Sequence, residues 1–138
     1  MPGSGETVKV ANNLVTLSTI LILNEAMALG AKFGIKRDIL YEVLKDSSAS
    51  CTVLTSAWGP KVLKGDFTYL FKLNLALKDV GLAVTCGKIL KVPLFLGSLV
   101  REIYQIETYQ GKGDLDPTST ITTLEKLAGF EIGREKRG

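Results

Sequence analysis

The chain contains one long uncharged run, VANNLVTLSTILILN, at residues 10–24. Its periodicity predicts one helix over residues 5–33, because apolar residues recur at spacings of three, four and seven. Other apolar residues surround this stripe, which is typical of a helix packed between neighbours. At 1.5 Å per residue the helix is about 43 Å long, which favours a central spine, a domain connector or a dimer element. Gly34 is expected to end it with a positive φ. The stripe consists of Val10, Leu14, Leu17, Leu21, Ala28 and Ala31.

The uncharged run does not have the features of a membrane span or a signal peptide. A span takes about 20 predominantly apolar residues, whereas this shorter run includes Asn12, Asn13 and Asn24. A signal peptide has basic residues before its apolar run and a small-residue cleavage site after it. Here Glu6 and a single lysine precede the run, and Glu25 follows it. We therefore expect a buried helix of a soluble protein and no membrane partner.

The rest of the chain also predicts helices. Residues 67–78 alternate between apolar and polar like a strand, but a longer window favours a helix over residues 69–90. In that window Leu73, Leu77, Val80 and Val84 follow the helical pattern i, i+4, i+7, i+11. No other segment offers a partner strand. The remaining predicted elements are helices at 38–45, at 95–110 and after Pro117, and a short element around 53–58 that Gly59-Pro60 ends.

These elements predict an all-α fold, a helical bundle built around the long first helix. One domain is expected over residues 1–130, and the charged residues 131–138 are expected to be a disordered tail. The helix at 95–110 is expected to turn one apolar face inward, formed by Leu96, Leu99, Val100, Ile103 and Ile106.

The composition excludes several kinds of chemistry because the chain has no histidine. Ser-His-Asp and Cys-His catalysis and His-ligated zinc are ruled out, so acid–base chemistry near neutral pH must use a lysine, carboxylate, tyrosine or cysteine. The net charge is only +3, and most of that excess lies in the last five residues, which does not indicate a nucleic-acid partner. Cys51 and Cys86 form no CxxC motif, so we expect two buried thiols in a reducing compartment.

Lys9, Asn12 and Asn13 stand at the start of the otherwise apolar first helix. Residues three and four apart share a helix face, so Lys9 projects beside both amides. The structural interpretation places them at an exposed helix end or in hydrogen bonds to a loop, and the spacing alone favours it. The functional interpretation places Lys9 in a partly desolvated cleft, where burial lowers its pKa and suits it to proton transfer. The two asparagines then hold a polar substrate.

Three ordered motifs resemble those of the β-hydroxyacid dehydrogenases, the family typified by 3-hydroxyisobutyrate dehydrogenase. GSGETVKVANN at residues 3–13 is similar to the family's GxGxxxKxxNN signature. GDF at 65–67 and FKLNLALKDVGLA at 71–83 resemble its GDF and F-x-L-x-L-x-x-KD-x-x-LA segments. VPL at 92–94 resembles the turn that follows, although Phe95 replaces the usual second proline. The resemblance covers residues 3–129.

The resemblance implies the helical half of a two-domain enzyme. In the family, an N-terminal Rossmann domain binds NAD or NADP, and an all-helical C-terminal domain, like that of 6-phosphogluconate dehydrogenase, completes the cleft. This chain has no GxGxxG after a strand and no βαβ pattern. We therefore expect an excised domain or a separately encoded half, which has no activity without the Rossmann half.

Residue by residue, the resemblance implies that Lys9 is the catalytic acid/base and that Asn13, supported by Asn12, binds the substrate. Phe71, Lys78 and Asp79 match family positions on the cofactor side of the cleft. Without the family match, Phe71 is read as a core aromatic residue, and Lys78 with Asp79 as a solvated charge pair.

The implied activity is NAD(P)-dependent, reversible oxidation of a small 3-hydroxy acid to a semialdehyde or keto acid. The implied partners are that substrate, the Rossmann domain of the parent protein, which holds most of the NAD or NADP, and a second copy in a homodimer. The implied location is the cytoplasm or the mitochondrial matrix. The alternative is a non-catalytic, all-helical dimerisation or interaction module, in which the long first helix packs against a partner.

Overall fold

The computed structural model describes residues 3–132, and this part of the chain is helical without a strand. The all-α prediction is therefore confirmed, and residues 73–78 lie in a helix. The tail expected to be disordered lies outside the described residues from 133 onward. The α-helices are α1 Ser4–Lys32, α2 Arg37–Lys45, α3 Gly59–Val62, α4 Leu73–Leu90, α5 Phe95–Tyr109 and α6 Ile121–Ala128. A π-helical turn at Val53–Trp58 precedes α3, and a 3₁₀ turn at Pro117–Thr120 precedes α6.

The prediction that Gly59-Pro60 ends the short element was wrong. The π-helical turn continues directly into α3, and Gly59 keeps helical dihedral angles (φ −57°, ψ −53°). Pro60 fits this helical backbone because its ring fixes φ near the helical value. By contrast, Gly34 ends α1 as predicted, with a φ of +86°.

The described chain forms two compact units, each made of two separate stretches. Unit 1 contains residues 3–19 and 69–117, and unit 2 contains residues 20–68 and 118–132. Helix α1 supplies its first part to unit 1 and the remainder to unit 2.

The core of unit 1 forms where α4 and α5 pack together with the first part of α1. Tyr104 on α5 is fully buried, and its hydroxyl donates a hydrogen bond of 2.6 Å to the Leu17 carbonyl oxygen of α1. On α4 the buried side chains recur at helical spacing, at Leu73, Ala76, Val80, Ala83 and Val84.

The predicted inner face of α5 was mostly wrong. Val100 is buried, but Leu96, Leu99 and Ile106 are exposed and Ile103 is half-buried. The buried face consists instead of Gly97, Val100, Tyr104 and Glu107. Two of these side chains are polar, and their partners lie outside α5: the Leu17 carbonyl for Tyr104, and Lys112, 2.9 Å from the carboxylate, for Glu107.

The core of unit 2 surrounds Trp58, which is fully buried with Met27, Leu54, Val62 and Ile121. A polar side chain joins three elements inside it. Asn24 on α1 accepts a hydrogen bond from the Trp58 indole at 2.8 Å, and its amide donates to the Thr120 hydroxyl at 2.7 Å. Asn24 is only 1% exposed, so these bonds satisfy groups that water does not reach.

Helix α1 is long and apolar enough, by length and composition alone, to cross a bilayer. The central helix of a water-soluble core passes the same test, and 44% of the most apolar window of α1 is buried within the structure. Cys51 and Cys86 are free thiols, and both are half-buried rather than buried as expected.

Candidate functional site

The six predicted site residues all belong to unit 1. Lys9, Asn12 and Asn13 lie on α1, Phe71 precedes α4, and Lys78 and Asp79 lie on α4. The Gly3-Ser4-Gly5 segment is the entry to α1, since the helix begins at Ser4.

The structure joins two of these residues that are far apart in sequence. The Asn13 side-chain amide Nδ2 donates a hydrogen bond to Asp79 Oδ2 at 3.1 Å, and both residues are half-buried. Sequence reasoning had assigned Asn13 to the substrate and Asp79 to the cofactor. The contact makes them one polar unit, with Lys9 one helical turn before Asn13 on the same helix face.

The other predicted residues surround this pair without such a bond. Lys9, Asn12 and Lys78 are exposed, and Phe71 is half-buried. The exposure of Lys9 differs from the partly desolvated environment that the functional interpretation expected. Val8 and Ala11 beside Lys9 are exposed too, so this turn of α1 faces solvent in the chain.

The loop that follows α5 holds the start of α4, a contact that the sequence did not indicate. The first N–H groups of a helix have no partner within it. In α4, Leu73 N–H donates to the Leu115 carbonyl at 2.8 Å, and Asn74 N–H donates to the Gly113 carbonyl at 2.9 Å. Gly113 permits this approach because a Cβ there would lie 2.4 Å from Asn74 Oδ1. The α4 N-terminus is thus occupied by protein carbonyls and does not offer these N–H groups to a phosphate.

Lys72, immediately before α4, is a residue of this region that no sequence motif indicated. Its ammonium lies 3.4 Å from an Asp114 carboxylate oxygen and 5.0 Å from the centre of the Tyr69 ring. These contacts hold the segment that contains Phe71 between the 113–115 loop and Tyr69. The Gly111 and Gly113 pair was the signal for this loop, since closely spaced glycines mark turns.

Unit 1 also contains a buried acidic group near the Tyr104 hydroxyl. Glu107 is 3% exposed and pairs with Lys112, while the 6% exposed Asp116 accepts a hydrogen bond from the Leu70 backbone N–H at 3.4 Å. Burial raises the pKa of Tyr104 far above its usual range, and the charges of Asp116 and Glu107 add to this. Tyr104 is therefore a neutral structural donor and not an acid–base group.

The GDF motif at residues 65–67 forms a loop in unit 2. The Asp66 carboxylate accepts the Thr68 backbone N–H at 3.0 Å. Hydrogen bonds from Thr68 hold the pKa of this exposed carboxyl below its usual value. Lys61 donates to the Thr68 carbonyl oxygen and fixes the same loop. The motif therefore has a local structural role.

Neither of two open concavities in the described residues contains a predicted site residue. One, of about 1160 Å³ in unit 2, lies between the C-terminal end of α1, the start of α2 and the end of α6. The other, of about 520 Å³ in unit 1, lies at the turn between α4 and α5. The half-buried Asn13–Asp79 pair lines neither of these two concavities.

Comparison with known proteins identifies the chain's relatives. Residues 3–124 match the model of a family described as "NAD-binding of NADP-dependent 3-hydroxyisobutyrate dehydrogenase". The chain is 31% identical to 2-(hydroxymethyl)glutarate dehydrogenase from Eubacterium barkeri over 130 residues, which is 94% of this chain and 43% of that protein. It is also 31% identical to 3-sulfolactaldehyde reductase from Escherichia coli over 129 residues, again 94% and 43% of the two chains.

A solved structure shows the same fold. The crystal structure of 3-hydroxyisobutyrate dehydrogenase from Salmonella typhimurium superimposes with a TM-score of 0.81 at 30% identity. The match covers 89% of this chain and 43% of that chain. The chain thus spans less than half the length of these relatives.

Proposed function

Because this chain belongs to the family described as NAD-binding of NADP-dependent 3-hydroxyisobutyrate dehydrogenase, we propose that it is the helical half of an NAD(P)-dependent dehydrogenase of small 3-hydroxy acids. The observation that carries the proposal is the Asn13–Asp79 hydrogen bond in unit 1, with Lys9 one helical turn before Asn13 on α1. It combines a cation with a hydrogen-bonding amide on one surface, which suits a small acid that carries a hydroxyl. The relatives are dehydrogenases and a reductase by name, which supports the oxidoreductase class.

The residues of this chain fit a partial role in holding NAD(P). Lys78 is exposed and offers a cation to a phosphate or hydroxyl group, and Phe71 offers a half-exposed aromatic surface. The α4 N-terminus is closed by the carbonyls of Leu115 and Gly113, so it supplies no phosphate site. This division fits a cofactor held mainly by a Rossmann half, which binds pyrophosphate at a helix N-terminus. When bound, NAD(P) accepts or returns the hydride.

We assign the proton transfer to Lys9. During oxidation the neutral Lys9 amine accepts the proton of the substrate hydroxyl. The carbon that carries this hydroxyl gives up its hydrogen as a hydride to bound NAD(P). In reduction the Lys9 ammonium returns the proton to the forming alkoxide, and its charge stabilises that alkoxide. Lys9 is exposed in this chain, so the water-excluding surface must come from the second half. The isolated chain is therefore expected to be inactive.

Replacement of Lys9 tests the proposal in the protein that contains both halves. We expect Lys9→Met to lower kcat for a 3-hydroxy acid about 10²- to 10⁴-fold, the usual contribution of a general acid–base group. NAD(P) reduction at 340 nm with 3-hydroxyisobutyrate, glycerate and threonate measures this. Lys88→Met, an exposed lysine of α4, is the matched control. Cofactor binding should not change in either variant. If Lys9→Met turns over within threefold of the wild type, Lys9 has no part in the mechanism.

A second candidate function, dimerisation, is favoured by the exposed apolar surface of α5. Phe95, Leu96, Leu99 and Ile106 are 81%, 76%, 58% and 52% exposed. Their spacing places them on one side of the helix, and exposed apolar patches mark interaction sites. The occupant that we propose is α5 of a second copy, because the same face on both copies gives a two-fold contact.

Sedimentation of the isolated chain over a wide concentration range tests this candidate. We expect a concentration-dependent dimer that Leu99→Glu weakens tenfold or more, since it buries a charge in the contact. Leu127→Glu, which places the same charge on an exposed leucine of α6, is the matched control and should leave association unchanged. A strict monomer at all concentrations contradicts the candidate.

A further inference from the structure

We propose that Asp79 is a positioning residue, which fixes the orientation of the Asn13 side-chain amide and so sets what that amide recognises. The inference rests on the proposed function, because it concerns a substrate-binding role of Asn13. It differs from the cofactor role that the sequence suggested for Asp79.

The hydrogen bond between the two side chains determines the orientation. An ionised carboxylate can only accept hydrogen bonds, whereas an asparagine amide has a donating end and an accepting end. Asn13 Nδ2 lies 3.1 Å from Asp79 Oδ2. The opposite rotamer would bring Asn13 Oδ1 against the carboxylate, which loses one bond and places two acceptors in contact. Asp79 therefore holds Asn13 with Oδ1 directed away from it.

Packing on both sides keeps this pair in place. On α4 the residues beside Asp79 include Ala76 and Val80, which are fully buried, so the helix face that presents Asp79 is fixed against the core. The start of α4 is held by the Leu115 and Gly113 carbonyls. Asn13 lies on α1, and the next turn of this helix accepts a hydrogen bond from the Tyr104 hydroxyl at the Leu17 carbonyl oxygen. The half-buried position of the pair makes its charge-assisted bond stronger than one in open water.

The fixed amide presents a carbonyl oxygen and one remaining N–H to a ligand. A hydroxyl is complementary to this combination because it both donates and accepts. A carboxylate is not, since it needs two donors and would face the Asn13 carbonyl oxygen. Asp79 thus directs Asn13 towards a hydroxyl of the substrate and leaves the carboxylate to cationic groups. The substrate class that this favours is a small acid whose hydroxyl lies within reach of Lys9.

A double-mutant cycle in the protein with both halves tests the coupling. In Asp79→Asn the shape is kept, but two amides can pair in either orientation, so Asn13 is no longer fixed. We expect kcat/KM for the hydroxy acid to fall about tenfold, with KM for NAD(P) unchanged within twofold. In an Asn13→Ala background, Asp79→Asn should cost less than twofold more. Glu102→Gln, an exposed carboxylate of α5, is the control and should have no effect.

Exchange of the two residues separates positioning from a merely structural role. Asn13→Asp with Asp79→Asn restores a hydrogen bond with donor and acceptor reversed. We expect the urea midpoint, which each single change lowers, to recover in the exchanged protein while activity does not. A structural role predicts that activity returns with stability. That result would overturn the inference.

The outcomes also distinguish this inference from the proposed function. One outcome contradicts the inference alone: the wild type oxidises hydroxy acids, but Asp79→Asn lowers kcat/KM equally with and without Asn13, or raises KM for NAD(P). Asp79 then does not position Asn13, and the proposed function stands. If the wild type turns over no hydroxy acid, both are wrong.

Discussion

The Trp58 indole donates its hydrogen bond to Asn24 Oδ1 at 2.8 Å inside unit 2, where neither residue is more than 1% exposed. The same Asn24 amide donates to Thr120, so one buried side chain connects α1, the π-helical turn and the 3₁₀ turn before α6. A buried polar group of this kind stabilises a fold only while its partners are present.

Asn24→Ala should therefore destabilise the chain strongly. The change removes the acceptor of the Trp58 N–H and a donor to Thr120, and it leaves a small cavity. We expect a loss of about 2–4 kcal/mol in the free energy of unfolding. Urea unfolding followed by the fluorescence of Trp58, the only tryptophan of the chain, measures it. Thr85→Ala removes an exposed hydroxyl that bonds only its own helix, and this control should change stability by less than about 0.5 kcal/mol.

Tyr104→Phe should change how stability depends on alkaline pH. Burial raises the pKa of Tyr104 in the folded chain, whereas in the unfolded chain it is about 10. Below that pH both states keep the phenolic proton, so the contribution is constant. Above it the unfolded state loses the proton and the folded state keeps it, so stability falls as pH rises, by up to about 1.4 kcal/mol per pH unit.

Urea midpoints between pH 9 and 11.5 test this expectation. Below pH 10 the free energy of unfolding of Tyr104→Phe should be lower than that of the wild type by a constant amount of about 1 kcal/mol. The reason is the lost hydrogen bond to the Leu17 carbonyl. Above pH 10 the free energy of unfolding of the wild type should fall to that of the variant and drop below it before pH 11.5, because only the wild type has the titrating group. Parallel curves across the whole range would show that Tyr104 ionises in the folded chain.

Two glycines of α4 should respond in opposite directions to alanine. Alanine favours a helix by about 1 kcal/mol over glycine. At Gly81 a Cβ meets only Arg101 Nε at an ordinary 3.6 Å, so Gly81→Ala should stabilise by about 0.5–1 kcal/mol. At Gly87 a Cβ would lie 2.8 Å from Leu94 Cγ and 3.0 Å from the Val92 carbonyl oxygen. Gly87→Ala should therefore destabilise by about 1–3 kcal/mol.

Thermal unfolding followed by circular dichroism at 222 nm compares the two glycine variants. Each is the control for the other, since they make the same change six residues apart on one helix. Equal shifts of the melting temperature with the same sign would contradict this prediction. They would mean that helix propensity alone determines the stability of both variants, and that Val92 and Leu94 move to accommodate the new Cβ without loss of stability.

The sequence predicted what local periodicity determines. The stripe through Leu17 and Leu21 located α1, and Gly34 located its end. In α4, the helical spacing of Leu73, Val80 and Val84 correctly predicted a helix despite a short strand-like alternation. A helical periodicity is recognised only over a longer window of sequence than a strand alternation, so the longer window was the better guide.

The buried face of α5 illustrates what periodicity does not reveal. Apolar residues lie on more than one side of this helix, so hydrophobicity did not identify the inner one. Tyr104 and Glu107 lie on the buried side because their partners, the Leu17 carbonyl and Lys112, lie outside the helix. The Asn13–Asp79 bond is similar, since it joins residues 66 positions apart. Motif spacing indicated both side chains but gave them separate roles.

The discontinuity of the two units has a consequence for how the chain is made and divided. Each unit needs a stretch from either side of the other in the sequence. During synthesis, residues 3–19 leave the ribosome before residues 69–117, which complete the same unit. The intervening stretch makes that loop closure entropically costly. For the same reason, no single cut of the chain releases a complete unit. Half-length fragments should therefore fold only when both are present together.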